Sequence, residues 1–238
     1  PYRRQKWGPK ARAVLRKGEQ VAIGSADAII CISEEIRESV LARNPSGMVV
    51  KIPNGVLRPS TVPPAELLGR WGLAPGGYLL LTARFVEEKG IPDLIRAWDA
   101  SGLKDRCMLA IAGGEDHPSR VGEEIRALSQ ASGATLTGIV TGPDLGALYG
   151  HARGFVLPSY HEGLPISLLE AMSWNLPIVA SDIRANREVG LSDSCYFPAG
   201  DHQGLISRLH SILEGPDRLD YTQKLLPYDW DVVAQHTR

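Results

Sequence analysis

From Leu79 onward the chain repeats one pattern, a short and almost continuously apolar run followed by a segment long enough for a helix. The runs are YLLLTAR (78–84), CMLAIAGG (107–114), ATLTGIV (134–140), GFVLPS (154–159), PIVASD (177–182) and, more weakly, CYFPAG (195–200). Helical segments are expected between and after them, at 90–101, 119–132, 143–151, 165–174, 185–190 and 202–214. None of the runs alternates apolar with polar residues, as a strand with one wet face does; continuous apolarity marks a strand covered on both faces. Strand, helix, strand order demands crossover connections, so the sheet is parallel and helices lie on both sides. The expected class is α/β, with a Rossmann-like parallel-sheet domain.

Upstream the pattern is shorter: a helix over roughly 9–24, a strand at ADAIICIS (26–33), a helix over 34–43 with Ser33 as its N-cap, and a strand at MVVKIP (48–53). Two strands are too few to close a core, and Pro53, Asn54 and Gly55 followed by LRPSTVPPAE read as a turn and linker. Residues 1–57 are therefore expected to be the tail of a preceding α/β domain, the larger amino-terminal part of which is missing. Residues 58–215 form the Rossmann-like domain, and 216–238 a closing segment with an amphipathic helix after Pro227 that folds back across the boundary. An opening on Pro1 rather than Met fits a piece of something longer.

With 43% hydrophobic and 22% charged residues in 238, the chain has the mix of a soluble globular protein. No run approaches the roughly 18 apolar residues of a membrane span, and no signal-peptide order is visible, so a cytosolic location is expected. Cys31, Cys107 and Cys195 are far apart in apolar contexts, which fits reduced thiols and offers no zinc pairing. Residues 1–57 hold ten Lys/Arg against five Asp/Glu, and the rest sixteen against twenty-two, so +5 and −6 give the total of −1. The basic opening PYRRQKWGPKARAVLRK suits a solvated helix face or a peripheral contact with an anionic membrane surface, its inner face for a cytosolic protein. No basic face interleaved with aromatics points to nucleic acid.

Ligands of an open parallel sheet collect at the carboxyl ends of its strands. Arg84 ends the first run, Lys89 follows five residues later, and the fourth run leads straight into PSYHEGLP. There Gly163 admits close backbone approach, Pro165 suits the first helical position, and the amides of Gly163 and Leu164 are left to point outward. Such a helix start holds an anion through free N–H groups and the positive end of the helix dipole. Arg84 and Lys89 add fixed positive charge, so the set suits a diphosphate. Glu170 stands five residues past Pro165, about 7.5 Å along the axis, an offset at which a carboxylate receives the hydroxyls of a ribose. Glu162, on the loop, would face the other end of the ligand.

The segment VLPSYHEGLPISLLEAMSWNLPIVASDI closely resembles the E-x7-E region of the retaining family-4 glycosyltransferases, which have the two-domain GT-B fold. LLLTARFVEEKGIPDLIRAW resembles their phosphate loop, and VVKIPNGV, MLAIAGG and LTGIVTGPDLGALYGHA fall in the expected order. YRRQKWG and SDIRANREVG are similar to the subset making bacterial surface polysaccharides, often rhamnosyl or mannosyl transferases. The resemblance implies that the chain is the carboxy-terminal, donor-binding half of such an enzyme. Arg84 and Lys89 then correspond to the diphosphate clamp, Gly163, Leu164 and Pro165 to the backbone beside sugar and phosphate, and Glu170 to the ribose ligand. Glu162 matches the catalytic acid that contacts the donor sugar, and the backbone near Val140 falls where the family reads the nucleobase. It further implies a nucleotide-sugar donor, a glycan or lipid-linked acceptor held by the amino-terminal domain, no metal for the chemistry and no cofactor. On this reading the isolated chain turns over little or nothing. Ala83 and Asn175 depart from the family pattern, each standing where a glycine is usual.

Plainer readings stand beside these. Arg84 and Lys89 could pair with Glu87 and Glu88, Glu170 could pair with Arg184 or Arg187, and His161 and His117 could be ordinary loop histidines. Gly113 and Gly114 read as a close backbone approach rather than a dinucleotide fingerprint, since no G-x-G-x-x-G follows a strand. The DWD at 229–231 sits at the start of the last helix, away from any strand end, and no G-x-S-x-G elbow surrounds Ser159. A nucleotide-sugar epimerase or phosphorylase on the same fold, and a non-catalytic nucleotide-binding or assembly module, are the rival functions.

Overall fold

The computed structural model describes residues 8–237 and divides the chain into two compact units, the first ending at Pro53 and the second running from Asn54 to His236. Residues 1–7, which carry much of the basic opening and of the YRRQKWG resemblance, lie outside the described residues.

In the first unit, α1 (Pro9–Ser25) and α2 (Glu34–Leu41) accompany two parallel strands, β1 (Ile29–Cys31) and β2 (Val49–Lys51). Its core is small: Ile23, Cys31, Val40 and Val49, with Ile29, Ile36 and Leu41 packed around them. Both strands are shorter than the apolar runs suggest, because only three residue pairs of the ladder form before each strand gives way to a turn.

The second unit carries six parallel strands: β3 (Tyr78–Thr82), β4 (Met108–Ala112), β5 (Thr135–Gly138), β6 (Gly154–Leu157), β7 (Ile178–Ser181) and β8 (Tyr196–Phe197). Their order across the sheet is β5-β4-β3-β6-β7-β8. Helices α3 (Ile91–Ala100), α4 (Arg120–Ser132), α5 (Gly142–His151), α6 (Ile166–Ser173), α7 (Arg184–Arg187) and α8 (His202–Glu214) connect or follow them, and α9 (Thr222–Leu225) and α10 (Trp230–His236) close the unit. Strands β3, β4, β6, β7 and β8 are buried as their continuous apolarity requires: Leu79, Leu80, Leu81, Leu109, Ala110, Ile111, Phe155, Val156 and Leu157 are each 0% exposed, whereas β5, whose TLTG alternates polar with apolar, lies at the sheet edge with none of its four residues buried.

Helix limits follow local chemistry. Ser119 caps α4 by accepting the Gly122 amide at 3.1 Å, and Asp201 caps α8 by accepting the Gly204 amide at 2.9 Å. On α8, Leu205, Leu209 and Ile212 recur at spacings of four and three and are the buried stripe. Two expectations need correcting. Pro165 is the residue before α6 rather than its first helical one: its ψ of 83° is outside the helical range, and the Ile166 amide turns back to the Leu164 carbonyl in a tight three-residue turn. The segment expected as a helix over 185–190 is the four-residue α7, capped when the Glu188 amide bonds the Arg184 carbonyl and turned at Gly190, where φ is +77°.

Helix α6 ends on Asn175, the only non-glycine among the described residues with positive φ (57°). The Asn175 amide bonds the Met172 carbonyl at 2.9 Å and the Leu176 amide bonds the Ala171 carbonyl at 3.1 Å, the paired bonds of a Schellman ending. Asn175→Ala is expected to cost about 1 kcal/mol, because a β-carbon without a short polar group disfavours this conformation, while Asn175→Gly is expected to cost nothing. Urea unfolding midpoints of the two variants check this.

Candidate functional site

Strand β3 opens the six-stranded sheet. The chain then builds outward on one side through β4 and β5, and returns to lay β6 against the other side of β3. The carboxyl ends of β3 and β6 therefore flank the point where the strand order reverses, the crevice in which open α/β sheets bind ligands. Both loops that carry candidate residues leave from there.

The β3 loop runs through Arg84 to a short 3-10 turn, Glu87–Lys89, and reaches α3 at Gly90. The β6 loop runs through Pro158 to Pro165. The two are joined at a seam: the Tyr160 amide donates to the Glu88 carbonyl at 2.8 Å, and Gly90, at φ +62°, sits so close to Pro158 that a β-carbon would lie 2.4 Å from its carbonyl oxygen. Tyr160 also donates its hydroxyl to Asp93 at 2.6 Å.

Across this seam Lys89 Nζ lies 2.6 Å from Glu162 Oε1, with side chains only 17% and 7% exposed. Ser159 Oγ donates to the same carboxylate oxygen at 2.7 Å. The second oxygen of Glu162 has no partner among the described residues. Lys89 thus pairs with neither Glu87 nor Glu88. Arg84 is exposed and its guanidinium makes no hydrogen bond or ion pair among the described residues. The amides of Gly163 and Leu164 likewise donate to no acceptor there, which leaves the eight-residue α6 with two open N–H groups at its tip.

Glu170 is paired with no arginine. Its Oε2 accepts the Tyr149 hydroxyl at 2.9 Å, and Tyr149 in turn meets Thr82 Oγ1, on the last residue of β3, at 2.5 Å. Arg187 is engaged with Asp182 and Asp193 instead. Burial pushes the Glu170 carboxyl above its ordinary value, and the Tyr149 hydrogen bond pulls the other way. A carboxyl raised in the folded state contributes stability at low pH that is lost as pH rises through its folded value. The side chain opens on a cavity of about 550 Å³ whose other walls include Gly142, Gly146, Trp174, Trp230 and linker residues 55–61. Val140 is half-buried on the loop after the edge strand β5, two strands away from β3.

Sequence reasoning missed Tyr149, Thr82, Ser159 and Trp230. Tyr149 follows buried Ala147 and Leu148 and reads as core; the one available signal is that a buried phenol needs a partner. The DWD segment has a local task, since the Asp229 carboxylate accepts the Asp231 amide at 2.9 Å. Among the described residues no cluster of three His, Cys, Asp or Glu is placed to hold a metal, and no helix is long and apolar enough to cross a membrane.

Comparison with known proteins gives the family and the fold. The chain is 29% identical to the alpha-maltose-1-phosphate synthase of Mycobacterium tuberculosis over 92% of its own length and 64% of that protein's. It is 29% identical to O-antigen chain mannosyltransferase B of Escherichia coli over 76% of this chain and 50% of that one. It therefore spans less than two thirds of these curated relatives. Among solved structures, sucrose-phosphate synthase from Thermosynechococcus elongatus superposes with a TM-score of 0.78 at 23% identity, covering 98% of this chain and 61% of that one. Anabaena HepE, solved with UDP and glucose, gives 0.74 at 18% identity over 94% and 65%. Both share the fold. The family described as Glycosyl transferases group 1 matches residues 76–215, more than half of the chain and the whole stretch from β3 to α8, and to that family the chain belongs.

Proposed function

We propose that the chain is the donor-binding portion of a retaining glycosyltransferase that moves a sugar from a nucleotide-sugar to a glycan or lipid-linked acceptor. The observation that carries this reading is the Lys89–Glu162 pair at the strand-order reversal, beside two open amides at the tip of α6. The donor diphosphate rests on the Gly163 and Leu164 amides, with Pro165 shaping the turn and Arg84 and Lys89 supplying positive charge. Glu170 receives the ribose hydroxyls and the backbone at Val140 meets the nucleobase. Glu162 contacts the donor sugar through its uncommitted oxygen.

In the transfer step the bond from the sugar's anomeric carbon to the diphosphate oxygen breaks and a bond to the acceptor oxygen forms on the same face. The acceptor's proton passes to the departing diphosphate. Charge builds on that leaving group, and fixed N–H groups and cations aimed at it stabilise the transition state without reorganising. No metal or cofactor is assigned a part. The named relatives support a sugar-transfer reading: an O-antigen mannosyltransferase is among them, and HepE was solved with UDP and glucose.

A thermal-shift panel of UDP-, GDP- and ADP-sugars tests the proposal, since a ligand that binds the native state raises its midpoint by mass action. At least one is expected to do so, and Arg84→Ala is expected to weaken its binding about 10–100-fold, the worth of a charge-assisted phosphate contact. A flat panel, or unchanged binding by Arg84→Ala, would overturn it.

A further inference from the structure

We infer that Tyr149, backed by Thr82, is the positioning residue that orients the Glu170 carboxylate toward a vicinal diol of the bound nucleotide. This deepens the reading of Glu170 given above and rests on it. Three elements converge on the phenol: Tyr149 lies in the last turn of α5, Thr82 ends β3, and Glu170 projects from α6. Tyr149 is 1% exposed, so its hydroxyl takes its partners mainly from the protein.

Proton counting and distance set the direction of the chain. A phenol has one proton and an ionised carboxylate has none to give, so Tyr149 donates to Glu170 Oε2 at 2.9 Å in preference to the Ser167 carbonyl at 3.4 Å, and the Thr82 hydroxyl donates to Tyr149. One oxygen of Glu170 is thereby committed to the protein, and Oε1 has no partner among the described residues. Glu162 is arranged alike, with one oxygen held by Ser159 and Lys89 and the other uncommitted.

The surroundings leave Tyr149 as the group that governs the charge of Glu170. Arg58 is the other charged residue lining the cavity, and its guanidinium donates to the Thr222 carbonyl. On α5, Asp144 is paired with Arg70 and His151 bonds the Pro63 carbonyl. Burial favours the neutral acid, and the Tyr149 bond opposes it. A neutral Glu170 would present a donor or a weaker acceptor where the diol needs a charged one.

The test is calorimetric titration of the full chain and its Tyr149→Phe and Thr82→Val variants with UDP, GDP and ADP and with their 2′,3′-dideoxy counterparts, between pH 5.5 and 8. Wild type is expected to prefer the parent nucleotide over its dideoxy form by about tenfold or more. Tyr149→Phe is expected to lose about tenfold for the parent only, and its affinity should begin to fall at a higher pH than wild type on acidification. Thr82→Val should shift both readouts the same way by less, and serves should the phenylalanine variant fail to fold. Equal weakening of parent and dideoxy forms, or an unchanged pH profile, overturns the positioning role. A wild type that binds but ignores the missing diol overturns the Glu170 reading, and binding of none of the three nucleotides overturns both.

Discussion

Glu162→Gln, placed in the protein that carries transfer activity, is expected to lower kcat by two to three orders of magnitude, roughly the loss seen when one preorganised electrostatic contact is removed from a reacting centre. Donor affinity is expected to hold or rise slightly. The reason lies in what the substitution leaves intact. Glutamine keeps the shape of the side chain and an oxygen that still accepts from Ser159. On the proposed mechanism it removes the negative charge beside a sugar whose anomeric carbon becomes electron-poor as the diphosphate departs. It also releases Lys89, now bonded to Glu162 at 2.6 Å, to serve the diphosphate alone. A fall in kcat with the dissociation constant held is the signature of an interaction made mainly in the transition state. Steady-state kinetics paired with calorimetric donor binding measures both, and unchanged transfer would mark the site as a nucleotide-binding module without a catalytic acid.

Gly113→Ala should be the most destabilising single methyl group in the second unit. At φ +145° Gly113 lies against the start of the loop that follows β3, and a β-carbon would come within 1.8 Å of the Ala83 carbonyl oxygen and 2.8 Å of its carbon. Both are backbone atoms of a segment held on two sides: the Ala83 amide bonds the Ala112 carbonyl, and the Phe85 amide bonds the Gly114 carbonyl at 2.7 Å. Neither partner can swing away as a side chain would. Backbone strain and overpacking each cost about 1–3 kcal/mol, so about 3 kcal/mol together is a low figure, or roughly 6–12 °C of melting temperature in a chain of this size. Differential scanning calorimetry checks it, and a loss under about 1 kcal/mol would mean that the β3 and β4 loops are not locked together.

The architecture was legible because the fold is written in periodicity. Runs such as YLLLT and MLAIA are buried on both faces and cannot be anything but interior strands, and caps at Ser119 and Asp201 mark their helices plainly. Strand ends were overread by up to three residues, in places where apolar loop residues continue the pattern, as Ala83 does after β3 and Val140 after β5. Of the candidate site, the charged residues could be found because Arg84, Lys89 and Glu162 stand out after strand ends and Glu170 stands out in an otherwise apolar helix. Their partners could not. Whether Lys89 faces Glu87, Glu88 or Glu162 depends on β6 lying beside β3, a long-range fact that no local window contains. Ser159, Thr82 and Tyr149 are ordinary residues in apolar stretches, and their hydroxyls matter only through what the sheet brings opposite them.

One feature of the linker reaches beyond the site. Val56 pairs in parallel with Asp229, its amide bonding the Tyr228 carbonyl at 2.7 Å, and the Trp230 indole lies so close over Gly55 that a β-carbon there would come within 2.5 Å of the ring. Residues 55–56 and 228–230 of the second unit are thus held against each other. The clasp also makes Trp230, at the start of α10, a wall of the cavity that Glu170 faces, so removing the residues from Asp229 onward would open that chamber to solvent.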